Sequence, residues 1–292
     1  MAFKNPYKFN RDHIKKSDMI GGYGAGRVLV AKQLKEDLKE LYFDGVEEYF
    51  YQAQDNITPM VSILKETFQT LWDDGRVDYK WTLPDGFVAH LRPEETVEIE
   101  VNPFGGLPIS MIARAINPTT RNTTLGVSII HSVDGFIARE LKNRCKYDEK
   151  ALMTALVDID DYILLNQNRN EENYGAEEQQ IIIGGFISHA VIERLDESIM
   201  NQLSIETLWK IRDKITKSLD YKSFTILPRH DGFSAHPNHC KKMQRIHCEI
   251  KAELTEAHLL ESIIEEITGK KFKRITGDLT ASDVIRSQYT IC

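Results

Sequence analysis

The feature that most constrains the fold is a change of hydrophobic period near residue 80. Before it, apolar residues recur at helical spacing: Val30, Leu34, Leu38 and Leu41 share one helix face. After it, residues 80–83 and 87–91 are short β-prone runs either side of Pro84-Asp85-Gly86, a turn sequence. Val97 to Val101 then alternates apolar and acidic residues, as a half-buried strand would. Beyond residue 128 the helical period returns. Helices are expected at 128–142, 190–201, 205–219, 236–254 and 256–267, with a short strand at 224–227 and a polar loop at 166–178. A mixed chain of this kind predicts a helix-rich α+β fold.

Two further helices are expected early in the chain. One begins near Arg11, after Asn5-Pro6 and Asn10, and ends in the glycines Gly21, Gly22, Gly24 and Gly26. Another covers 58–72. Those glycines fit no GxGxxG register and follow no strand, which excludes a dinucleotide-binding turn.

The 292 residues are long enough for one large domain or two small ones, and the 41% hydrophobic and 28% charged content is that of a globular chain. No apolar run reaches bilayer length, and the polar, basic start is unlike a signal peptide. A cytoplasmic chain without a membrane partner is therefore expected. The four cysteines, Cys145, Cys240, Cys248 and Cys292, form no CxxC pair and read as free thiols. The net charge of −7 opposes a uniformly nucleic-acid-binding surface, but basic runs at 4–16, 142–146 and 270–274 leave room for a local basic channel or a basic partner.

Four segments carry chemistry or imitate it. In Arg11-x3-Lys15-x3-Met19-x3-Tyr23-Gly24, a helix would stack two cations and an aromatic on one stripe. Arg11 and Lys15 suit the phosphates of a nucleoside triphosphate, Tyr23 its sugar and base, and Gly24 a close approach of the template. A solvated basic helix with a glycine C-cap is the plainer reading of the spacing. In His230-Asp231-Gly232-Phe233, an Asp at a strand-turn can hold Mg²⁺, although most Asp-Gly pairs are simple turns; a helix is expected next. In Ser128-Ile129-Ile130-His131-Ser132-Val133-Asp134-Gly135, His131 fits a core histidine and Asp134 a helix cap as well as any site. Finally, His236, His239, Cys240, His247 and Cys248 suggest zinc by type but match no structural zinc spacing.

In their order along the chain, these segments resemble the single-subunit RNA polymerases of T7-like phages and mitochondria. The Arg11–Gly24 segment is similar to that family's motif B. Trp81-x2-Pro84-x-Gly86-Phe87 is similar to a segment that follows it. His131-Ser132-x-Asp134 resembles the HSxD helix, His230-Asp231-Gly232-Phe233 resembles motif C, and Tyr289-Thr290-Ile291-Cys292 resembles the aromatic tail. The resemblance covers most of the chain outside 146–219.

What it implies is a partial right-hand polymerase fold, fingers plus part of the palm. Residues 1–118 would be fingers-like with the motif B helix, 119–145 the HSxD palm helix, 146–219 an insertion, and 220–292 the palm with motif C and the tail. Arg11 and Lys15 would contact the triphosphate, and Tyr23 with Gly24 would select ribose and place the base. His131 would contact the nucleotide or primer end, and Asp231 would bind the catalytic Mg²⁺ ions, supported by His230.

Three departures shape the expectation. Only ten residues precede Arg11, so motif A, with its own aspartate, is absent from its usual place. Pro228-Arg229 interrupts the apolar run leading into His230-Asp231, which predicts altered strand geometry there. The segment 146–219 is longer than its counterpart. Two-metal nucleotidyl transfer needs carboxylates bridging ions roughly 3.5–4 Å apart. One aspartate serves that poorly, so a second subunit carrying motif A is expected. The two-chain RNA polymerases of N4-like bacteriophages have such a split, and this chain resembles their motif B and C subunit. The implied partners are that second subunit, DNA template, ribonucleoside triphosphates and nascent RNA, in the cytoplasm of an infected bacterial host. A family A DNA polymerase fragment is disfavoured by Met19 four residues after Lys15 and by HDGF in place of HDE. A non-catalytic nucleic-acid-binding subunit of the same fold is the remaining alternative.

Overall fold

The computed structural model describes residues 11–22, 26–42, 46, 48, 78–92, 94–102, 105–106, 108–116, 123–166, 175–229, 232–272 and 279–287. In chain order its elements are α1 (Arg11–Gly22), α2 (Arg27–Leu38), β1 (Tyr79–Thr82), β2 (Val88–Leu91), β3 (Glu94–Val101), β4 (Ile109–Ile116), α3 (Thr123–Cys145), α4 (Glu149–Leu165), α5 (Gly175–Ile181), α6 (His189–Ile192), α7 (Glu197–Met200), α8 (Ile205–Tyr221), β5 (Ile226–Arg229), β6 (Gly232–Ala235), α9 (Pro237–Glu256), α10 (Leu259–Thr268) and α11 (Ala281–Arg286). The strands pair as β1-β2, β3-β4 and β5-β6. The class is helix-rich α+β. No helix among the described residues is long and apolar enough to cross a membrane.

The chain divides into two compact units, Met1–Tyr79 with Leu91–Ile130, and Lys80–His90 with His131–Cys292. In the first, α1 packs on α2, whose Val30, Leu34 and Leu38 are buried at the expected helical spacing. Ile20 of α1 and Tyr42 close over them. Ser17, fully buried, donates to Asp37 at 3.2 Å, so its hydroxyl is not left unpaired between the helices. Leu41 stays 46% exposed because the chain tightens into a 3₁₀ turn after Leu38 and leaves the stripe.

The expected strand at Val97–Val101 is present, but it is not half-buried. It lies in the antiparallel ribbon β3-β4, where Ile99 faces Met111 and Val101 faces Ile109. All four are more than a third exposed. Alternation selects one apolar face, as the pattern implies, but no described layer covers it.

The second unit holds most of the described core. Helix α4 packs on α8 through Leu152, Ile159 and Ile163 against Leu208, Ile211 and Ile215, joined by Tyr147, Val191 and Leu203. Caps fix where these helices start. Asp148 accepts from the Lys150 and Ala151 amides, and Ser204 accepts from Thr207. Asp196 accepts from Ile199, and this cap explains a correction: the single helix expected over 190–201 is two short ones, α6 and α7, because Asp196 starts a new helix. The loop expected at 166–178 likewise gives way to α5 from Gly175. Gly184 has φ +61°, and a Cβ there would lie 2.8 Å from the Leu259 backbone, so only glycine lets α10 start against this turn.

Gly232–Ala235 is a strand that the sequence does not announce. It pairs with β5 in the register Ile226↔Ala235, Leu227↔Ser234, Pro228↔Phe233 and Arg229↔Gly232. Pro228 and Arg229 therefore belong to β5. Proline is tolerated because β5 is an edge strand that can forgo one donor. The helix expected from His236 follows it, with Pro237 at the first helical position, where a missing amide costs nothing.

At the centre of this unit is a buried ionic group. Glu140, fully buried on α3, accepts from Ser188 Oγ at 2.7 Å, His189 N at 3.0 Å and Arg144 Nε at 2.7 Å. The Arg144 guanidinium also donates to both oxygens of Glu253 at 2.8 and 2.7 Å. Lys214 donates to Glu253 at 2.7 Å and to the Ile187 carbonyl. Two cations thus balance two anions drawn from α3, α8 and α9. Burial, helped by the Arg144 charge, pushes Lys214 down to about 8 against the pull of Glu253 and Glu140. Burial opposes ionisation of Glu253, but Arg144 and Lys214 outweigh it and hold the carboxyl down at about 2.

Glu140→Ala should cost about 3 kcal/mol in urea unfolding, because it leaves Arg144 Nε, the Ser188 hydroxyl and the His189 amide without their acceptor. Acid should act through Glu253. Its carboxyl protonates near 4.5 when unfolded and about 2 when folded, so its contribution is whole above pH 4.5 and is lost as pH falls toward 2. Thermal melts across that window should fall steeply in wild type and less steeply in Glu253→Gln.

Candidate functional site

The second unit brings two of the singled-out segments together. Strands β1 and β2 turn through Pro84-Asp85-Gly86. The Gly86 amide donates to the Leu83 carbonyl at 2.8 Å, and the Leu83 amide to Phe87 O at 2.9 Å. Gly86 sits at φ +81°, which suits glycine, and the Asp85 carboxylate accepts from the Phe87 amide at 3.2 Å.

This turn is seated on the HSxD helix. Trp81, 1% exposed, donates its indole N–H to Ser132 Oγ at 2.9 Å. Two turns along α3, Arg139 forms a forked pair with Asp85 and lies 4.3 Å from the Phe87 ring centre. On the other side, Glu266 of α10 accepts from Thr82 N at 2.7 Å and Thr82 Oγ1 at 2.9 Å. The tryptophan, aspartate and phenylalanine of the Trp81–Phe87 segment therefore each have a fixed partner, and two of those partners are a helical repeat apart. His131, beside Ser132, is exposed on α3.

The β5-β6 pair is anchored from the other end of the same helix. The Phe224 amide donates to the Cys145 carbonyl at 2.7 Å, just before β5. The Phe224 ring stacks on His239 of α9, with centroids 4.6 Å apart and planes 10° apart. On β6, Phe233 lies 6.2 Å from His247, a buried imidazole that burial and the nearby Lys251 charge push down to about 4. Strands β5 and β6 thus bracket the sequence His230-Asp231, and α9 supports the pair.

Of the expected site residues, Lys15 is an exposed cation on α1 in the first unit. Arg11 opens α1, but its side chain, Tyr23, Gly24, His230 and Asp231 lie outside the described residues, as do the 58–72 helix and the Tyr289–Cys292 tail.

Among the described residues, no group of three His, Cys, Asp or Glu side chains could hold a metal ion. The zinc-like residues have other employment. His236 caps α9, His239 stacks on Phe224, and His247 packs beside Phe233. What sequence reading missed is the Glu140–Arg144–Glu253–Lys214 group. An Arg four residues after a Glu was its only local signal, and its other partners come from distant segments.

No protein-family model matches the chain, and no curated protein matches it.

Trp81→Phe should destabilise the second unit by about 1–2 kcal/mol, since it leaves the Ser132 hydroxyl without its donor and opens a gap. A fluorescence-monitored denaturant titration of the variant checks this.

Proposed function

We propose that this chain is the motif B and C subunit of a two-chain DNA-directed RNA polymerase. The observation that carries the reading is the β5-β6 pairing, strand to His230-Asp231 to strand. A divalent-metal aspartate is suited to such a position, where flanking ladder bonds fix the backbone on both sides of a short connection. Two further features support it. The Trp81–Phe87 turn and the helix carrying His131-Ser132-x-Asp134, each of which resembles a segment of that family, are in contact. Helix α1 runs from Arg11 to Gly22 and keeps Lys15 in solvent.

In this reading Asp231 holds Mg²⁺ with a second carboxylate from the partner chain, and His230 steadies it. The metal ions, when bound, activate the RNA 3′-hydroxyl and neutralise the departing pyrophosphate. Arg11 and Lys15 hold the triphosphate oxygens, fixed charges that need little rearrangement as negative charge builds up. Tyr23 and Gly24 form the floor on which base and ribose are placed, and His131 touches the nucleotide or primer end. The substrates are ribonucleoside triphosphates and a DNA template, the product is RNA, and the setting is an infected bacterial cell.

The test is template-directed incorporation of labelled ribonucleotides with Mg²⁺, using the tagged full chain recovered with the chain that co-purifies. Asp231→Ala should abolish synthesis and leave DNA binding intact. Undiminished synthesis by that variant would remove the catalytic reading and leave a scaffold or binding subunit.

A further inference from the structure

Charge is distributed unevenly around the motif C hairpin. Between Tyr221 and Arg245 lie five Lys and Arg residues against one Asp, a net +4 in a chain whose total is −7. The structure gathers most of these cations on one surface. Lys242 Nζ donates to the Tyr221 carbonyl at 2.9 Å, which ties the second turn of α9 to the end of α8. One turn on, the Arg245 guanidinium lies 5.7 Å from the Tyr221 ring centre. Lys222 follows Tyr221 directly and is exposed, as are Lys241 and His236 at the start of α9. Arg229 stands exposed at the end of β5, next to His230-Asp231 in sequence. Acidic groups at this surface are Asp220, Glu249 and Glu149; Glu149 accepts from the Ser223 amide at 3.0 Å and Glu249 from Arg245 at 3.1 Å, so the four cations Lys222, Lys241, Lys242 and Arg245 exceed them by one.

Lys222 caps α8 at φ +53° and ψ 140°, a backbone conformation that glycine would adopt with less strain.

We propose that Lys222, Lys241, Lys242 and Arg245 form a ridge that binds the sugar-phosphate backbone of a nucleic-acid strand beside the motif C hairpin. The ridge offers ammonium and guanidinium groups. The Tyr221 ring lies beneath Arg245, and Phe224 is buried against His239. Ammonium and guanidinium groups grip phosphates, so binding is indifferent to sequence and sensitive to salt. The proposal rests on the polymerase reading only for which strand lies there; the binding surface itself does not need it.

Fluorescence anisotropy with labelled single-stranded RNA and with an RNA–DNA hybrid, titrated over salt, tests the ridge on the full chain. The combined Lys222→Gln, Lys241→Gln, Arg245→Gln variant should bind about tenfold more weakly and lower the slope of log K against log salt by about 2. The charge-keeping Lys222→Arg, Lys241→Arg, Arg245→Lys variant should restore both. Lys222→Gly separates binding from folding, since it should hold or raise the melting temperature while weakening binding. Tighter binding of single-stranded RNA or of the hybrid identifies the strand carried. An unchanged salt slope in the triple variant, no binding by wild type at low salt, or equal competition by polyglutamate would each overturn the ridge. Asp231→Ala should leave this binding untouched. Loss of synthesis in that variant alongside an unaltered triple variant sinks the ridge and spares the polymerase. Unaltered synthesis alongside weakened binding by the triple variant does the reverse.

Discussion

The second unit depends on one neutral, buried ion group. Glu140, Arg144, Lys214 and Glu253 come from three helices far apart in sequence, and each is held by at least two partners. Burying a lone charge costs several kcal/mol, and even a pair barely offsets its desolvation unless the geometry is good and spare lone pairs are bonded. Here those conditions are met. Glu140 takes a hydroxyl and an amide besides Arg144, and the two cations lie 5.6 and 4.9 Å from the Phe186 ring centre. Such a group gains less from attraction than it forbids in error. Slide α3 by a turn against α9 and two charges are stranded. It therefore acts on register, the quantity that a site spread over several elements most needs fixed.

That register has a functional consequence. Helix α3 carries Ser132, then Arg139 and Glu140 two turns on, then Arg144 one turn further. The first two seat the Trp81–Phe87 turn, and the last two lock the helix into the core. At its far end the Cys145 carbonyl receives Phe224, just before the motif C hairpin. One rigid helix thus spaces the turn from the hairpin, and His131 rides on it in solvent. Precision at a site comes from supports of this kind, in which packing and hydrogen bonds leave a backbone no alternative.

The sequence made the local pieces legible where a pattern was short and strong. The glycine run ended α1, Pro84-Asp85-Gly86 turned β1 into β2, and the Val30-Leu34-Leu38 stripe was buried as spaced. Legibility failed where tertiary context decides. Nothing in Val97–Val101 tells whether its apolar face is covered, because that depends on another surface. Asp196 as a helix cap broke a run that propensity alone would continue, and Gly232–Ala235 became a strand because β5 offered it a partner. The core helix α4 went unread because its apolar residues lie among charges in a segment with no motif. That segment, 146–219, holds the largest described cluster of buried residues, so the centre of the fold and the motif-bearing residues occupy different stretches of chain. In the candidate site, the seating of Trp81 on Ser132 was not legible, since a buried indole gives no sign of the hydroxyl it will find.

The electrostatics set a final condition on any polymerase reading. Catalysis on nucleotides wants carboxylates to hold metal ions and cations to hold phosphates, yet the two attract each other and would collapse into salt bridges if left free. In the second unit, cations that must not wander are consumed in the core, Arg144 and Lys214 by Glu140 and Glu253, and Arg139 by Asp85. Near the β5-β6 pair, Lys242 is held instead by the neutral Tyr221 carbonyl, and Arg245 is shared between the Tyr221 face and Glu249. A cation positioned by a carbonyl keeps its full charge for a phosphate, whereas one positioned by a carboxylate does not.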